Sequence, residues 1–316
     1  MTVLDGHTLN PGDLTWDAMA ALGQLTVHER TAPESVTERA ADSEIVFTNK
    51  ALLPAEAIKA LPKLRYIGVL ATGYNVVDVV AAEEQGVTVT NIPDYGSISV
   101  AQHTWALILE LANRVGQHAD AVAKGDWIKS PDFCFWNTPL TELAGLSLGI
   151  VGFGRIGQAV AKLGEAFGMK VLVHSRTRPQ SLPESYEWCS VEELFGKADV
   201  VSLHCPLTDT NNRFVNQELL KQMKSTAFLI NTGRGPLIHE GDLAAALNAG
   251  QIGGAAVDVL SVEPPEESNP LFGASNLIIT PHIAWATRAA RQRLMDIAVR
   301  NLELFLKGTP TNVVEP

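Results

Sequence analysis

The feature that most constrains the fold is an apolar run that leads directly into a glycine-rich turn. Residues 148–157 read Leu-Gly-Ile-Val-Gly-Phe-Gly-Arg-Ile-Gly, and a segment with helical periodicity follows. Gly152 permits a tight turn, Gly154 lets the backbone approach a pyrophosphate, and Gly157 lets the helix pack closely on the strand. The pattern predicts a dinucleotide-binding turn, with the diphosphate at the positive end of the helix. The predicted cofactor-binding residues of this turn are Gly152, Gly154, Arg155, Ile156 and Gly157.

The composition excludes several classes of partner. Hydrophobic residues make up 46% of the 316 residues and charged residues 19%, as in a globular protein. The formal net charge of -11 repels nucleic-acid phosphates and acidic lipid surfaces. No apolar run approaches the roughly 20 residues of a membrane-spanning helix, and the first ten residues lack a targeting pattern. We expect a cytoplasmic protein without nucleic-acid or membrane partners.

The cysteines and histidines indicate neither a disulfide framework nor a metal site. Cys134, Cys189 and Cys205 are odd in number, lie far apart and form no C-x-x-C pair. The histidines also lack the spacing of metal ligands. We expect reduced thiols and no metal.

Short apolar runs alternate with helical segments along the whole chain, which predicts an α/β protein. Strands are expected at 25–27, 45–47, 66–70 and 87–90, and then at 147–151, 170–174, 199–204, 227–231, 254–259 and 277–280. Helices are expected at 54–60, 76–85, 100–115, 157–167, 191–195, 216–223, 241–248 and 288–306. The pattern predicts two doubly wound parallel-sheet domains of Rossmann or flavodoxin type: a dinucleotide-binding domain over 100–286, and a second domain over 1–99 plus 287–316.

Three polar residues follow predicted strands of the dinucleotide-binding domain. They are Arg234, Glu263 and His282, and neighbouring parallel strands would gather them at one sheet edge. The Arg234 guanidinium suits a carboxylate, and a carboxylate bonded to an imidazole fixes its tautomer. Beside a nicotinamide, these groups could reduce a 2-keto acid. Spacing alone leaves open a surface arginine and an unrelated histidine and glutamate.

The residues after the next strand bear on the choice of dinucleotide. An acidic residue there would bind the ribose hydroxyls of NAD, but the chain reads His-Ser-Arg-Thr-Arg over 174–178. Ser175 and Thr177 can donate to phosphate oxygens, and Arg176 can bind them with charge-assisted hydrogen bonds. The sequence therefore favours NADP over NAD, with surface arginines as the alternative.

Seven segments carry a resemblance to a known family. They span 70–78, 99–104, 152–157, 204–208, 231–235, 258–264 and 280–284. In this order they resemble the D-isomer-specific 2-hydroxyacid dehydrogenases, most closely the glycerate dehydrogenase and hydroxypyruvate (glyoxylate) reductase members. The resemblance implies a discontinuous substrate-binding domain and an active-site cleft between the domains.

The resemblance also implies residue roles. Arg234 would anchor the substrate carboxylate, His282 would act as acid/base, and Glu263 would partner His282. Asp258 would hold the nicotinamide amide, and Thr72 with Gly73 would contact the substrate. The remaining implied cofactor contacts are Cys205, Pro206, Thr232 and His282 itself. Two positions depart from the common pattern, Gln102 and Ser175, where acidic residues are frequent.

Two tryptophans are candidate substrate contacts. Trp285 follows His282 closely and could wall the pocket. Trp136 lies in an aromatic segment that, in the reductases it resembles, reaches toward the neighbouring subunit's site. We therefore expect a homodimer, although ordinary packing is an alternative for both side chains.

The expected activity is reduction of hydroxypyruvate or glyoxylate to the 2-hydroxy acid. Alternatives that use the same fold are formate or phosphite oxidation, and oxidation and reduction of larger 2-hydroxy and 2-keto acids. A dinucleotide-sensing binding protein of co-repressor type is the alternative from another class.

Overall fold

The computed structural model describes residues 1–316, and the chain divides into two compact units. The first unit is Met1–Gly96 with Trp285–Pro316, and the second is Ser97–Ala284. These divisions fall three and two residues before the predicted domain boundaries. No helix is both long enough and apolar enough to cross a membrane.

The first unit contains a five-stranded parallel sheet. Its strands are β1 (Thr2–Val3), β2 (Thr26–Val27), β3 (Ile45–Thr48), β4 (Tyr66–Val69) and β5 (Thr88–Thr90). The spatial order is β2-β1-β3-β4-β5, which is the flavodoxin-like order.

The second unit contains a seven-stranded parallel sheet. Its strands are β6 (Ser147–Val151), β7 (Lys170–His174), β8 (Tyr186–Trp188), β9 (Val200–Leu203), β10 (Phe228–Asn231), β11 (Gly254–Val257) and β12 (Leu277–Ile279). The order β12-β11-β10-β9-β6-β7-β8 is that of a dinucleotide-binding sheet with one additional strand. The predicted fold class of two doubly wound parallel sheets is confirmed.

Eleven α-helices connect and cover these strands. They are α1 (Asp17–Ala20), α2 (Val36–Ala40), α3 (Ala55–Lys59), α4 (Val79–Glu84), α5 (Ser97–Asn113), α6 (Val115–Ala123), α7 (Arg155–Ala166), α8 (Val191–Lys197), α9 (Gln217–Leu220), α10 (Glu240–Asn248) and α11 (Arg288–Leu306). The final helix, α11, belongs to the first unit, where Leu294 and Leu302 share a core with Phe47 and Tyr66.

The structure corrects several local predictions. The second sheet has seven strands instead of six, because the pattern does not predict β8, a three-residue edge strand with two exposed side chains. The helix predicted over 100–115 begins at Ser97 and ends at Asn113, where Arg114 takes a left-handed φ of 50°. A separate helix, α6, then follows. The helix predicted over 216–223 is shorter than expected, because α9 has only four residues, Gln217–Leu220. The short elements β1, α1 and α2 are also not predicted.

The central strands of the second sheet, β6, β9, β10 and β11, are buried on both faces. In β10, Phe228 and Ile230 enter one apolar core, whereas Leu229 enters the core on the opposite face. A parallel sheet of this kind requires helices on both sides. Helices α5 and α7 cover the face of Phe228, and α8, α9 and α10 cover the other.

Trp105 connects α5 to α7 within the second unit. Its indole nitrogen donates to the Val160 carbonyl at 3.1 Å, and its ring stacks on Phe167 with centroids 4.5 Å apart. The side chain is only 4% exposed. Trp105 therefore contributes both apolar area and a satisfied hydrogen bond to this core.

We predict that Trp105→Ala lowers the free energy of unfolding by about 3–5 kcal/mol, because a large buried side chain is lost. Trp127, which is 52% exposed, is the matched control, and Trp127→Ala should cost clearly less. Urea denaturation followed by circular dichroism measures both. Equal losses would contradict the assignment of Trp105 to the core.

Candidate active site

The carboxyl ends of β10, β11 and β12 lie side by side. The parallel register places Asn231 opposite Val257, and Val257 opposite Ile279. Residues that follow these strands therefore leave the sheet from one edge, where open α/β sheets bind ligands. Arg234, Glu263 and His282 come three, six and three residues after their respective strands.

The structure brings His282 and Glu263 into direct contact. The imidazole Nδ1 lies 2.6 Å from Glu263 Oε2, and Glu263 Oε1 accepts from the Leu260 amide at 3.0 Å. Because an ionised carboxylate only accepts hydrogen bonds, this pair assigns the ring hydrogen to Nδ1. Nε2 is then available for proton exchange with a ligand, and both side chains remain about one-third exposed.

Asp258 fixes the segment that carries His282. This buried carboxylate, 1% exposed, accepts hydrogen bonds from the Thr280 hydroxyl, from the Ile283 amide at 2.9 Å and from the Ala284 amide at 2.8 Å. Burial by itself raises the pKa of Asp258, but hydrogen bonds from His103, Thr280 and the two amides outweigh burial and hold the pKa below its usual 3.8. Asp258 is therefore an ionised anchor at neutral pH.

His282 has an unusual backbone conformation. Its φ of 55° lies in the left-handed region, which costs a non-glycine residue about 1–3 kcal/mol. The His282 amide donates to the carbonyls of Asp258 at 2.8 Å and Thr280 at 3.0 Å. These bonds and the Asp258 carboxylate hold the strained residue in place. Such strain is common at functional sites.

Asn231 and Gly235 shape the turn that carries Arg234. The buried Asn231 side chain donates to the Arg234 carbonyl at 2.9 Å and accepts from the Gly233 amide at 3.0 Å. A Cβ on Gly235 would lie 2.0 Å from the Leu260 carbonyl carbon, so the turn packs directly on the segment that leads to Glu263.

The Arg234 side chain points to the surface of the second unit. It is exposed, and its Nη1 donates to the Gly233 carbonyl at 2.8 Å. The other guanidinium donors remain available for a ligand carboxylate. The three predicted catalytic residues thus follow neighbouring strands, and a hydrogen bond joins two of them, His282 and Glu263.

The glycine turn fits a dinucleotide pyrophosphate. Gly152 has a φ of 96°, and a Cβ there would lie 2.4 Å from the Cys205 amide nitrogen. A Cβ on Gly157 would lie 2.1 Å from the Gly152 carbonyl oxygen, whereas a Cβ on Gly154 would meet nothing within 4 Å. The turn therefore needs glycine for close packing at two positions and leaves open space at the third, next to the α7 N-terminus that begins at Arg155.

The segment after β7 lies beside this turn. The Gly152 amide donates to the His174 carbonyl at 2.8 Å, and the next residue, Ser175, donates to the Thr177 carbonyl at 2.8 Å. Arg176 and Thr177 are exposed. The arrangement leaves a cation and hydroxyl groups, and no carboxylate, at the end of the strand.

The other predicted contact residues lie in several places. Cys205 adjoins Gly152, Pro206 follows it and is exposed, and Ile156 is in the first turn of α7. Thr232 is buried with its hydroxyl 2.9 Å from Thr104. In the first unit, the Thr72 hydroxyl donates to the Ile92 carbonyl at 2.7 Å with Gly73 next to it, and Trp285 packs edge-on against Tyr95. Trp136, in the second unit, is exposed.

Sequence reasoning misses three polar residues at this sheet edge: His103, Thr104 and Thr280. His103 Nε2 lies 3.0 Å from the Thr280 hydroxyl and 3.4 Å from Asp258 Oδ1. The available signal is a run of three polar residues, Gln102, His103 and Thr104, followed in the helix by the apolar run Trp-Ala-Leu-Ile-Leu. That signal does not identify their partners.

Comparisons with known proteins agree with this geometry. The family profile described as D-isomer specific 2-hydroxyacid dehydrogenase, NAD binding domain, matches residues 105–284. A hydroxypyruvate reductase from Blautia hydrogenotrophica is 50% identical, and the alignment covers 99% of each chain. The chain belongs to the D-isomer-specific 2-hydroxyacid dehydrogenase family. It is an NAD(P)-dependent dehydrogenase that transfers hydride to small 2-keto acids.

Two further similarities extend the comparison of this dehydrogenase. A glycerate dehydrogenase from Methylorubrum extorquens is 43% identical over 90% of this chain and 89% of the relative. The solved structure of an acyclic imino acid reductase, Bsp5, in complex with NADPH and D-Arg superposes with a TM-score of 0.85 at 28% identity. That match covers 99% of this chain and 100% of Bsp5.

The lowered pKa of Asp258 gives the dehydrogenase a pH-dependent contribution to stability. A carboxyl whose folded pKa is depressed stabilises the fold above its unfolded pKa, and this contribution is lost as pH falls through the folded pKa. We predict that Asp258→Asn lowers the urea midpoint at pH 7. The difference from the wild type should narrow as the pH falls below the unfolded pKa of 3.8 toward the lower folded pKa. A difference that stays constant with pH would contradict the ionised anchor.

Proposed function

We propose that this dehydrogenase reduces hydroxypyruvate or glyoxylate to the corresponding 2-hydroxy acid. The observation that carries the proposal is the His282–Glu263 pair, at 2.6 Å, on the sheet edge that also bears Arg234. The relatives named hydroxypyruvate reductase and glycerate dehydrogenase, at 50% and 43% identity, support the choice of substrate.

In the proposed reaction, the exposed Arg234 guanidinium binds the substrate carboxylate with paired hydrogen bonds. A bound reduced nicotinamide supplies the hydride that adds to the carbonyl carbon. His282 Nε2 donates a proton to the carbonyl oxygen as negative charge develops there, and the neutral ring keeps its Nδ1 hydrogen bond to Glu263. In the oxidative direction His282 accepts the hydroxyl proton.

Glu263 performs two tasks in this scheme. It fixes which nitrogen faces the substrate, and it stabilises the protonated ring that is required before reduction. Its own orientation is set by the Leu260 amide, in the segment against which the Arg234 turn packs. The segment around Leu260 therefore positions both Glu263, which orients His282, and the turn that carries Arg234.

The chain uses a nicotinamide dinucleotide, and we propose NADP as the preferred form. Support comes from Ser175, Arg176 and Thr177, which offer hydroxyl and guanidinium donors where an acidic residue would repel the extra phosphate. The Bsp5 structure, which contains NADPH, shows that this fold can hold the phosphorylated dinucleotide.

The substrate roles of Thr72, Gly73, Trp136 and Trp285 stay predictions, as do the homodimer and the cytoplasmic location. For the dimer, support comes from exposed apolar side chains between α6 and β6. They include Ile128, Phe133 and Trp136, of which Ile128 is 91% exposed and Phe133 89%. A second copy of the chain would remove this apolar surface from water.

We predict that His282→Ala lowers kcat for keto-acid reduction by roughly 10²- to 10⁴-fold, the usual span for loss of a general acid. The Kd for NADPH should change little, because His282 is only one of the predicted cofactor contacts and the glycine turn is untouched. His118→Ala, which removes a histidine bonded to the Arg114 carbonyl, is the matched control and should retain turnover. Near-wild-type turnover of His282→Ala would remove His282 from the mechanism.

We predict the highest kcat/KM with hydroxypyruvate or glyoxylate and NADPH, in an absorbance assay that also tests pyruvate, phenylpyruvate and NADH. Arg176→Gln should reduce the preference for NADPH, whereas Lys170→Ala, at the other end of β7, should not. Oxidation of formate or phosphite would support those alternative activities. Tight dinucleotide binding without turnover of any substrate would support a binding protein instead.

A further inference from the structure

Helix α5 presents two consecutive polar residues to the carboxyl edge of the second sheet. His103 Nε2 lies 3.0 Å from the Thr280 hydroxyl, directly after β12. Thr104 Oγ1 lies 2.9 Å from the Thr232 hydroxyl, directly after β10. Thr104 is fully buried and the His103 side chain is one-fifth exposed. One turn of this helix thus contacts the two segments that lead to His282 and Arg234.

The hydrogen-bond directions in the His103 chain follow from hydroxyl chemistry. Thr280 has one hydroxyl hydrogen, and it donates to the Asp258 carboxylate. The Thr280 oxygen must therefore accept from His103, so His103 carries its hydrogen on Nε2. The same Nε2 is 3.4 Å from Asp258 Oδ1. His103 accordingly supports the carboxylate both through Thr280 and by its own approach.

The Asp258 carboxylate in turn fixes the backbone next to His282, the proposed acid/base residue. Its two oxygens accept from the amides of Ile283 and Ala284, the residues that follow His282. Because the left-handed φ of His282 is strained, the residue would relax toward an ordinary backbone conformation if Asp258 shifted. We propose that His103 is a positioning residue that holds His282 in its reactive orientation through Thr280 and Asp258, an inference that rests on the proposed function.

Thr104 acts on the other catalytic segment. Its hydroxyl hydrogen is donated to the Val100 carbonyl at 2.8 Å, so its oxygen accepts from the Thr232 hydroxyl. Thr232 begins the turn whose third residue is Arg234. Loss of the Thr104 acceptor would leave the Thr232 hydroxyl unpaired and loosen the turn that carries Arg234. The hydrogen bonds that join His103, Thr280 and Asp258 would stay intact.

The two neighbouring residues therefore predict different kinetic effects. His103→Leu should lower kcat by roughly 10- to 100-fold, as expected for a misplaced catalytic group, with KM for the keto acid within about 3-fold. Thr104→Val, nearly equal in volume to threonine, should mainly raise KM. His103→Gln places an amide donor near the position of Nε2 and should recover most of the lost kcat. Equal kcat losses in His103→Leu and His103→Gln would overturn the proposal.

A stability control separates positioning from general weakening of the fold. Ser190→Ala removes the N-cap of α8, which costs about 1 kcal/mol, and Ser190 contacts no proposed site residue. It should lower the urea midpoint but leave kcat unchanged. If kcat falls in proportion to the loss of stability in Ser190→Ala as well as in the His103 and Thr104 variants, His103 only contributes to the stability of the fold, and the positioning role is wrong.

Thr280→Val interrupts the same chain at its next member and remains informative if His103→Leu does not fold. Thr280→Val alone should lower kcat with little change in KM. The double variant His103→Leu/Thr280→Val should lose less kcat than the product of the two single losses, because both residues act on His282 through Asp258. Multiplied losses in kcat would show that the two residues act independently, and would contradict the chain.

Hydrogen–deuterium exchange tests the positioning without any turnover. In the full-length protein, His103→Leu should speed exchange in the peptide that contains Ile283 and Ala284, whereas His103→Gln should not. Unchanged exchange in His103→Leu would overturn the proposal even if the enzyme is active. Faster exchange in a protein that turns over no keto acid would instead support the His103 chain while refuting the proposed function.

Discussion

The buried carboxylate of Asp258 is the interaction on which the active-site end of the second unit depends. It receives hydrogen bonds from Thr280 and from the amides of Ile283 and Ala284, and its main-chain carbonyl accepts from His282. A buried charge is stable only when its hydrogen bonds are satisfied, and here Thr280, Ile283 and Ala284, which supply three of them, belong to the segment around the proposed catalytic histidine. The hydrogen bonds that this buried anion requires therefore also fix the position of His282, the proposed acid/base residue.

The parallel register adds a second constraint. Because β10, β11 and β12 end together, the segments bearing Arg234, Glu263 and His282 must leave from one edge, and Gly235 lets the Arg234 turn pack on Leu260. The segment after β11 then has to turn back by only a few residues for the Glu263 carboxylate to reach the His282 imidazole. The three residues proposed to bind the substrate carboxylate, to donate the proton and to orient that donor therefore follow three adjacent strand ends, beside a glycine turn that fits a pyrophosphate.

Much of this architecture could be predicted from the sequence, because it depends on patterns of a few consecutive residues. The glycine turn needs only ten consecutive residues, and the strands that end near Arg234 and His282 are short apolar runs. The short edge strand β8 and the break at Arg114 carry too weak a pattern. The contact of His103 with Thr280 could not be predicted either, since 177 residues separate them and only the packing of α5 on the finished sheet joins them.

The most direct test of the account is ¹⁵N NMR of the His282 imidazole in the full-length protein, assigned by comparison with His282→Gln. The account predicts that the neutral ring carries its hydrogen on Nδ1, in a hydrogen bond to Glu263, and leaves Nε2 unprotonated to face the substrate. A neutral ring with its hydrogen on Nε2 would contradict it, because Glu263 would then not set the tautomer.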